Sequence, residues 1–234
     1  MQFVLPILAA AALVGSTVIA LPTLVVEWAS RSSPPVLFHF PTEEPVLALT
    51  IDDGPSEATN EILDVLAEHD ARATFFLIGE NVEAKPEIVH RILAEGHELG
   101  HHMMKDRPSR AMEQDDFEAR FREMDLILDR FGGTAFFRPG SGWYNDEMVG
   151  FAAEQGYITV LGSVYPFDAT IPWTGFIAWY LRQHMGPGDI VVLHDGQQRG
   201  ERTAEVLRRV LPELAERGLR VETLTGLSEQ VQPR

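Results

Sequence analysis

Residues 46–55 read VLALTIDDGP. The apolar run Val46–Ile51 has the length of a buried strand and ends abruptly in two adjacent carboxylates, Asp52 and Asp53, then Gly54 and Pro55. Adjacent carboxylates repel one another and lose hydration on burial. Both stay ionised if one binds a metal ion and the other is held by a cation and a bound water. Such a pair divides the labour between ligand and general base.

Outward from this stretch, apolar runs and amphipathic segments alternate. Ser56 is placed to N-cap a helix that runs to about His69, with Ile62, Leu63, Val65 and Leu66 on one face. ATFFLIG (73–79) reads as the next strand. PEIVHRILAEG reads as a helix with Pro86 near its start and Gly96 at its end, and a short strand follows at 97–99. An amphipathic helix over 113–131 leads to TAFFRPG (134–140), a strand running into a turn. Helices at 146–155, 173–184 and 200–217 alternate with strands at 157–162, 189–194 and 219–224. This alternation predicts an α/β fold with a parallel sheet and helices outside it; the spacing favours an incomplete (β/α) barrel. Phe75-Phe76 and Phe136-Phe137 read as strand core, and Met103-Met104 as lining of core or site.

Composition narrows the function. The chain has 234 residues, 45% hydrophobic and 23% charged, which suits a globular domain with a real core. With 35 acidic against 19 basic residues the net charge is −16, and no basic cluster stands out. Nucleic acid is therefore excluded as a partner, and a neutral or cationic substrate is favoured. The absence of cysteine excludes disulfides, thiolate catalysis and cysteine zinc sites. Phe3–Val26 carries no charged side chain and is long enough to span a bilayer as a helix. It reads as a signal peptide, with Val18-Ile19-Ala20 as a cleavage site, or equally as an uncleaved membrane anchor. A basic n-region is missing, and Pro6 and Pro22 disturb the ends. Either way the catalytic part is expected outside the cytoplasm. Residues 27–45 read as a linker rich in Ser, Pro and acidic residues, and 46–230 as a single, monomeric catalytic domain.

In barrels and doubly wound sheets the site lies at the C-terminal ends of the strands. Those ends carry Asp52-Asp53, then HELGHHMMKD (97–106), Arg138-Pro139, Asp168 and His194-Asp195. One strand-end aspartate is usually a cap, but five polar strand ends on one rim are hard to explain that way. His102 and Asp106 are four apart and would share a face on a helical turn; His97 and His101 form a rival pair with the same spacing. The spacing does not choose between them. His39, His69, His90 and His184 read as packing or surface residues, and Asp195 as a cap of the following turn.

These motifs resemble the NodB-type polysaccharide deacetylases, carbohydrate esterase family four. TIDDGP is similar to the family's TFDDGP, GHELGHHMMKD to GHEIGNHTYSH, RPGSG to RPPYG, and IVVLHDG to the closing iiLlHD; the likeness spans most of residues 46–227. The resemblance implies a distorted, incomplete TIM-like barrel and a divalent metal ion. It also implies hydrolysis of N-acetyl groups on amino sugars, with an N-acetylated carbohydrate as partner. By position, Asp52 matches the general base, Asp53 and His102 two metal ligands, Arg138 the arginine that orients the base, Asp168 the aspartate that supports the catalytic histidine, and His194 the general acid. His97 aligns with a histidine that does not bind metal. Pro139, Ser141 and Val192 fall at oxyanion and substrate positions, Ser141 acting there through its backbone N–H.

Departures from the pattern matter. Asp106 stands where the family has its third ligand, a histidine. Two carboxylates and one imidazole still suit zinc, but move preference toward manganese, cobalt or iron. Gly162 and Ala169 stand where tryptophans often lie, Tyr165 stands at an aspartate position, and Val192 replaces a leucine. Trp143 and Trp173 are the candidates for a replacement aromatic wall. The expected activity is metal-dependent N-deacetylation of chitin-like or peptidoglycan-like sugars. The alternatives are a deformylase or other amide hydrolase on a lipid-linked sugar, and a carbohydrate-binding pseudoenzyme weakened at Asp106.

Overall fold

A computed structural model of the chain describes residues 36–196 and 198–231. The apolar segment 3–26 lies outside them. Among the described residues no helix is long and apolar enough to cross a membrane.

The strands are β1 (Val36–Leu37), β2 (Val46–Gly54), β3 (Ala73–Leu77), β4 (Glu98–His101), β5 (Phe136–Phe137), β6 (Ile158–Val160), β7 (Ile190–His194) and β8 (Arg220–Glu222). They pair in parallel in the order β1-β6-β5-β4-β3-β2-β7, and β8 pairs with the first three residues of β2. The main helices are α1 (Thr59–Glu68), α2 (Gly79–Ala84), α3 (Pro86–Ala94), α4 (Gln114–Asp129), α5 (Asp146–Glu154), α6 (Thr174–His184), α7 (Arg199–Glu216) and α8 (Leu224–Val231).

Every residue of β2 is buried, as the apolar run requires of a strand covered on both faces. Its outward residues Leu47, Leu49 and Ile51 pack in one cluster with Ile62, Leu63 and Leu66 of α1 and Val206, Leu207 and Val210 of α7. Each such aliphatic side chain contributes roughly 1.5–3 kcal/mol through burial. Its inward residues Val46 and Ala48 meet Phe76, Phe136, Val160 and Ile190, with Leu224 and Leu227 of α8 in the same cluster. Continuing the period of two, Thr50 and Asp52 also face inward, toward the rim.

The barrel closes imperfectly. No ladder joins β6 to β7 among the described residues; beyond the end of β6, Val164 meets Val191 of β7 in an isolated parallel bridge. Gly162, at φ 154°, permits it: a Cβ there would lie 2.5 Å from Val192 Cγ2 and 3.0 Å from the Ile190 carbonyl oxygen. The expected distorted, incomplete barrel is what forms.

Three expectations are corrected. The linker does not extend to residue 45, because Val36-Leu37 pairs with Thr159-Val160 as β1 and Phe38 is buried. Ser56 is not the N-cap of α1, which begins at Thr59. Ser56 Oγ instead accepts the Ala58 N–H at 3.0 Å and donates to Asp195 Oδ1 at 2.7 Å. Thr59 Oγ1 donates to the other Asp195 oxygen at 2.5 Å. Asp195 is therefore more than a turn cap: it ties the loop after β2 to the end of β7. Burial pushes its pKa up, and the bonds from Thr59 and Ser56 only partly oppose this. Helices α2 and α8 were not expected; both are short and follow strands closely.

Candidate active site

Adjacent strand residues point to opposite faces, so a regular strand would send Asp52 into the barrel and Asp53 out of it. The chain avoids this with a register shift between Asp52 and Gly54 and a left-handed Asp53 backbone, φ 71°. Such a bulge re-aims a side chain. Both carboxylates reach the same cleft, Asp52 3% and Asp53 4% exposed.

Asp52 is held from across the barrel. Arg138, which follows β5, donates from Nη1 to Asp52 Oδ1 at 2.6 Å and to Thr50 Oγ1 at 2.8 Å. Its Nε donates to the Val160 carbonyl at 3.1 Å, its Nη2 to the Leu161 carbonyl, and its guanidinium lies 4.1 Å from the Phe76 ring centre. Burial pulls the Arg138 pKa down, with Asp52 opposing. Four acceptors around one buried fork fix the orientation of Asp52.

The histidines sort by strand direction. His102 enters the cleft just beyond β4. Its Nδ1 donates to the Arg138 carbonyl at 2.8 Å, which turns Nε2 toward Asp53 Oδ1, 3.4 Å away, and Asp52 Oδ2, 3.9 Å away. Burial would lower its pKa, but Asp52 and Asp53 outweigh burial and raise it. In turn burial alone would raise Asp53, yet the His102 bond and charge, with His194 and Arg199, hold it down at about 2. The rival pair drops out. His101 is stacked on Phe121 at 4.1 Å beneath α4, and His97 Nδ1 accepts the Ala73 N–H at 3.2 Å. Burial pushes these two down, to about 3 and about 4.

His194 is the register partner of Asp52 on the neighbouring strand, so the two side chains leave the sheet on the same face. Asp168 holds it twice: Oδ1 accepts from ring Nδ1 at 3.0 Å and Oδ2 from the backbone N–H at 2.8 Å. Burial lowers the His194 pKa, but the bond and charge of Asp168, with Asp52 and Asp53, raise it overall. Tyr165 stands edge-on to this ring at 5.8 Å, its own pKa pushed up to about 12 by burial and then by Asp168, Asp52 and Asp53.

Asp106 departs from expectation. No residue of 102–108 is helical and 104–107 form bends, so the four-residue spacing from His102 does not put the two on one face. Its side chain is 53% exposed and bonded to Arg199, Oδ2 to Nη2 at 3.3 Å. The same guanidinium reaches Asp53 Oδ2 from Nη1 at 3.0 Å. Asp53 and His102 present the donor chemistry and tautomer a divalent ion needs. The third donor does not converge with them, and among the described residues no group of three potential metal-ligating side chains forms. The set as arranged does not fit a three-ligand metal site.

The cleft has a volume of about 450 Å³. Ser141, at φ 60°, lines it with Val192, Ala169 and Trp143. Trp143 is 63% exposed at its edge, whereas Trp173 does not line it. Pro139 is buried between Arg138 and Gly140 and holds the loop rather than facing the cleft. Sequence reading missed Arg199. Its signal was its position, opening the helix that follows His194-Asp195.

A barrel rim with an arginine-held aspartate facing an aspartate-held histidine defines a hydrolase-type site, and comparison with known proteins agrees. The profile of the family described as "Polysaccharide deacetylase" matches residues 39–160. The chain is 35% identical over 196 residues to a peptidoglycan-N-acetylglucosamine deacetylase of Bacillus cereus, covering 82% of this chain and 92% of that one. It is 32% identical over 197 residues to a chitooligosaccharide deacetylase of Sinorhizobium fredii, covering 78% and 92%. Among solved structures, a peptidoglycan N-acetylglucosamine deacetylase superposes with TM-score 0.78 at 32% identity, over 82% of this chain and 92% of that one. A pseudoenzyme of carbohydrate esterase family four from Bacillus anthracis superposes with TM-score 0.76 at 25% identity, over 84% and 69%. This chain belongs to the NodB-type polysaccharide deacetylase family.

Proposed function

We propose that this protein removes N-acetyl groups from chitin-like or peptidoglycan-like amino-sugar chains, releasing acetate and a free amine. The observation that carries the reading is the facing of two prepared groups: Asp52 on Arg138, and His194 on Asp168.

In this reading Asp52 accepts a proton as a water oxygen attacks the amide carbonyl, and Arg138 keeps its carboxylate aimed. The Ser141 backbone N–H stabilises the developing oxyanion; one such donor is typically worth ~3 kcal/mol. His194 is bound through Nδ1, so Nε2–H is free to protonate the leaving nitrogen as the C–N bond breaks. Asp168 keeps the ring protonated for that step. The exposed Trp143 offers a face for a sugar ring. The reading includes a divalent ion, zinc in the first place and otherwise manganese, cobalt or iron, with Asp53 and His102 as its core donors. Export, by signal peptide or anchor at 3–26, suits a cell-wall or extracellular polymer.

A second reading is a carbohydrate-binding pseudoenzyme. It is favoured by the outward Asp106 and by the likeness to a pseudoenzyme. A substrate panel separates the readings: N-acetylglucosamine oligomers, peptidoglycan fragments and an N-formyl amino sugar, each with free amine and released acid quantified. Acetate from the first two supports the deacetylase. Formate alone replaces it with a deformylase, and sugar binding without release replaces it with the pseudoenzyme.

A further inference from the structure

The segment after β6 wraps around His194. At the isolated bridge the Val164 N–H donates to the Ile190 carbonyl at 3.2 Å, and the Val164 carbonyl accepts the Val192 N–H at 3.0 Å. One residue on, Tyr165 stands beside Val192 and leaves the chain on the face opposite to Val164. Val192 and His194 are the register partners of Thr50 and Asp52, so this is the face that looks into the cleft. The chain then turns at Phe167, whose backbone is left-handed at φ 62° and whose carbonyl accepts the Thr170 and Ile171 N–H groups at 2.9 and 2.7 Å. That turn returns Asp168 to His194 Nδ1. Tyr165 is edge-on to the same imidazole, and Phe167 is edge-on to Tyr165 at 5.7 Å and to Tyr180 of α6 at 5.8 Å. The Tyr165 ring is thus set between His194 and a braced phenylalanine. Its hydroxyl is another matter. Among the described residues no hydrogen bond engages it, and the residue is 38% exposed on the wall of the cleft. Burial and the charges of Asp168, Asp52 and Asp53 disfavour its ionisation, so it stays a donor. A ligand that displaces water from this wall must supply an acceptor or leave that donor unpaired.

We propose that Tyr165 is a substrate-recognition residue whose hydroxyl donates a hydrogen bond to the sugar hydroxyl next to the amide that is cleaved. This rests on the reading of His194 as the proton donor to the leaving nitrogen. That nitrogen sits on the second carbon of the amino sugar, so a side chain packed against His194 meets the positions flanking it. In a chain linked through the first and fourth carbons, the free hydroxyl among these is the one on carbon 3. The contact therefore selects units whose 3-hydroxyl is free and disfavours units that carry an ether there, which have lost the polar hydrogen and bring extra bulk against the ring. Asp168 and Tyr165 divide the work around one imidazole: the first holds its proton, the second reads the sugar that receives it.

The test pairs a variant with a substrate analogue. Initial rates of acetate release by the full chain are measured on the N-acetylglucosamine trimer and on an analogue lacking every 3-hydroxyl, for wild type and Tyr165→Phe. The wild type is expected to prefer the parent by about 3–10-fold in kcat/KM, chiefly through KM, the range of one net hydrogen bond. In Tyr165→Phe the preference should fall to within about twofold, by loss on the parent and little change on the analogue. A ring that only packs on His194 is preserved in phenylalanine, so an unchanged preference overturns the proposal, as does equal use of the two substrates by the wild type. Tyr165→Leu should lose the preference too and also lower kcat on both substrates, because the face of His194 is bared. It carries the test if Tyr165→Phe does not fold, as judged by circular dichroism. Absence of acetate release by the wild type would refute the deacetylase reading without deciding the contact. The same preference is then read from calorimetric affinities: present in wild type and lost in Tyr165→Phe upholds the proposal, and equal affinities in wild type overturn it.

Discussion

Arg138→Met puts the largest demand on the site as described. Methionine keeps most of the aliphatic stem but removes every donor and the guanidinium that lies over Phe76. Asp52, 3% exposed, then loses its arginine partner. Breaking a buried pair by removing one member typically costs ~3–5 kcal/mol. The Val160 and Leu161 carbonyls also lose their donor from this side chain, at roughly 1 kcal/mol each. Two effects limit the total: Thr50 keeps its bond to the Val191 carbonyl at 2.7 Å, and Asp52 can lean toward His102, 3.9 Å away. The expected loss is about 4 kcal/mol, or roughly 8–16 °C in Tm for a domain of this size. Urea unfolding in chelator, followed by circular dichroism, measures it. Adding Asp52→Asn removes the stranded charge, so the double variant should be about 2 kcal/mol more stable than additivity of the singles allows. A loss below about 1.5 kcal/mol, or additivity within about 0.5 kcal/mol, would refute the claim that Arg138 mainly neutralises Asp52.

Other outcomes follow from the same geometry. Asp168→Asn removes the charge that raises the His194 pKa over the opposing effect of burial, so the alkaline limb of the pH–rate profile should move at least about one unit toward acid. In the wild type the folded His194 pKa lies above its unfolded value near 6.5. That pair's stabilisation is therefore complete below about pH 6.5 and is lost as pH rises through the folded value, a trend that Asp168→Asn should flatten in urea midpoints. A limb that stays in place would contradict the role of Asp168. Trp143→Ala should raise KM about 3–10-fold, the scale of one aromatic contact, with kcat and Tm nearly unchanged because the ring is exposed. Loss of kcat at unchanged KM would remove Trp143 from substrate contact.

The alternation of strand and helix was legible because the barrel strands are buried on both faces and the helices on one. VLALTI and IVVL show this as unbroken apolar runs. The rim was legible too, since carboxylates and histidines ending apolar strands have few structural uses. What could not be read was direction. Nothing in TIDDGP announces the bulge that turns Asp53 back beside Asp52. The spacing of His102 and Asp106 suggested a shared helical face that the bends over 104–107 do not provide. Arg199 was invisible for a related reason: its partners come from the end of β2 and from two separate loops, and an arginine at the start of an amphipathic helix looks like a solvated charge. The linker was misjudged because Val36-Leu37 is too short to stand out as a strand until β6 is there to receive it.

The most direct test of the account is acetate release from N-acetylglucosamine oligomers by wild type and Asp52→Asn, after chelation and again with zinc, manganese or cobalt restored. The account expects the wild type to release acetate and free amine in equal amounts, and a folded Asp52→Asn to be slower by at least about 10²-fold, the usual contribution of a positioned base. Near-normal release by Asp52→Asn would contradict it, because the Asp52–Arg138 pair would then have no part in the chemistry.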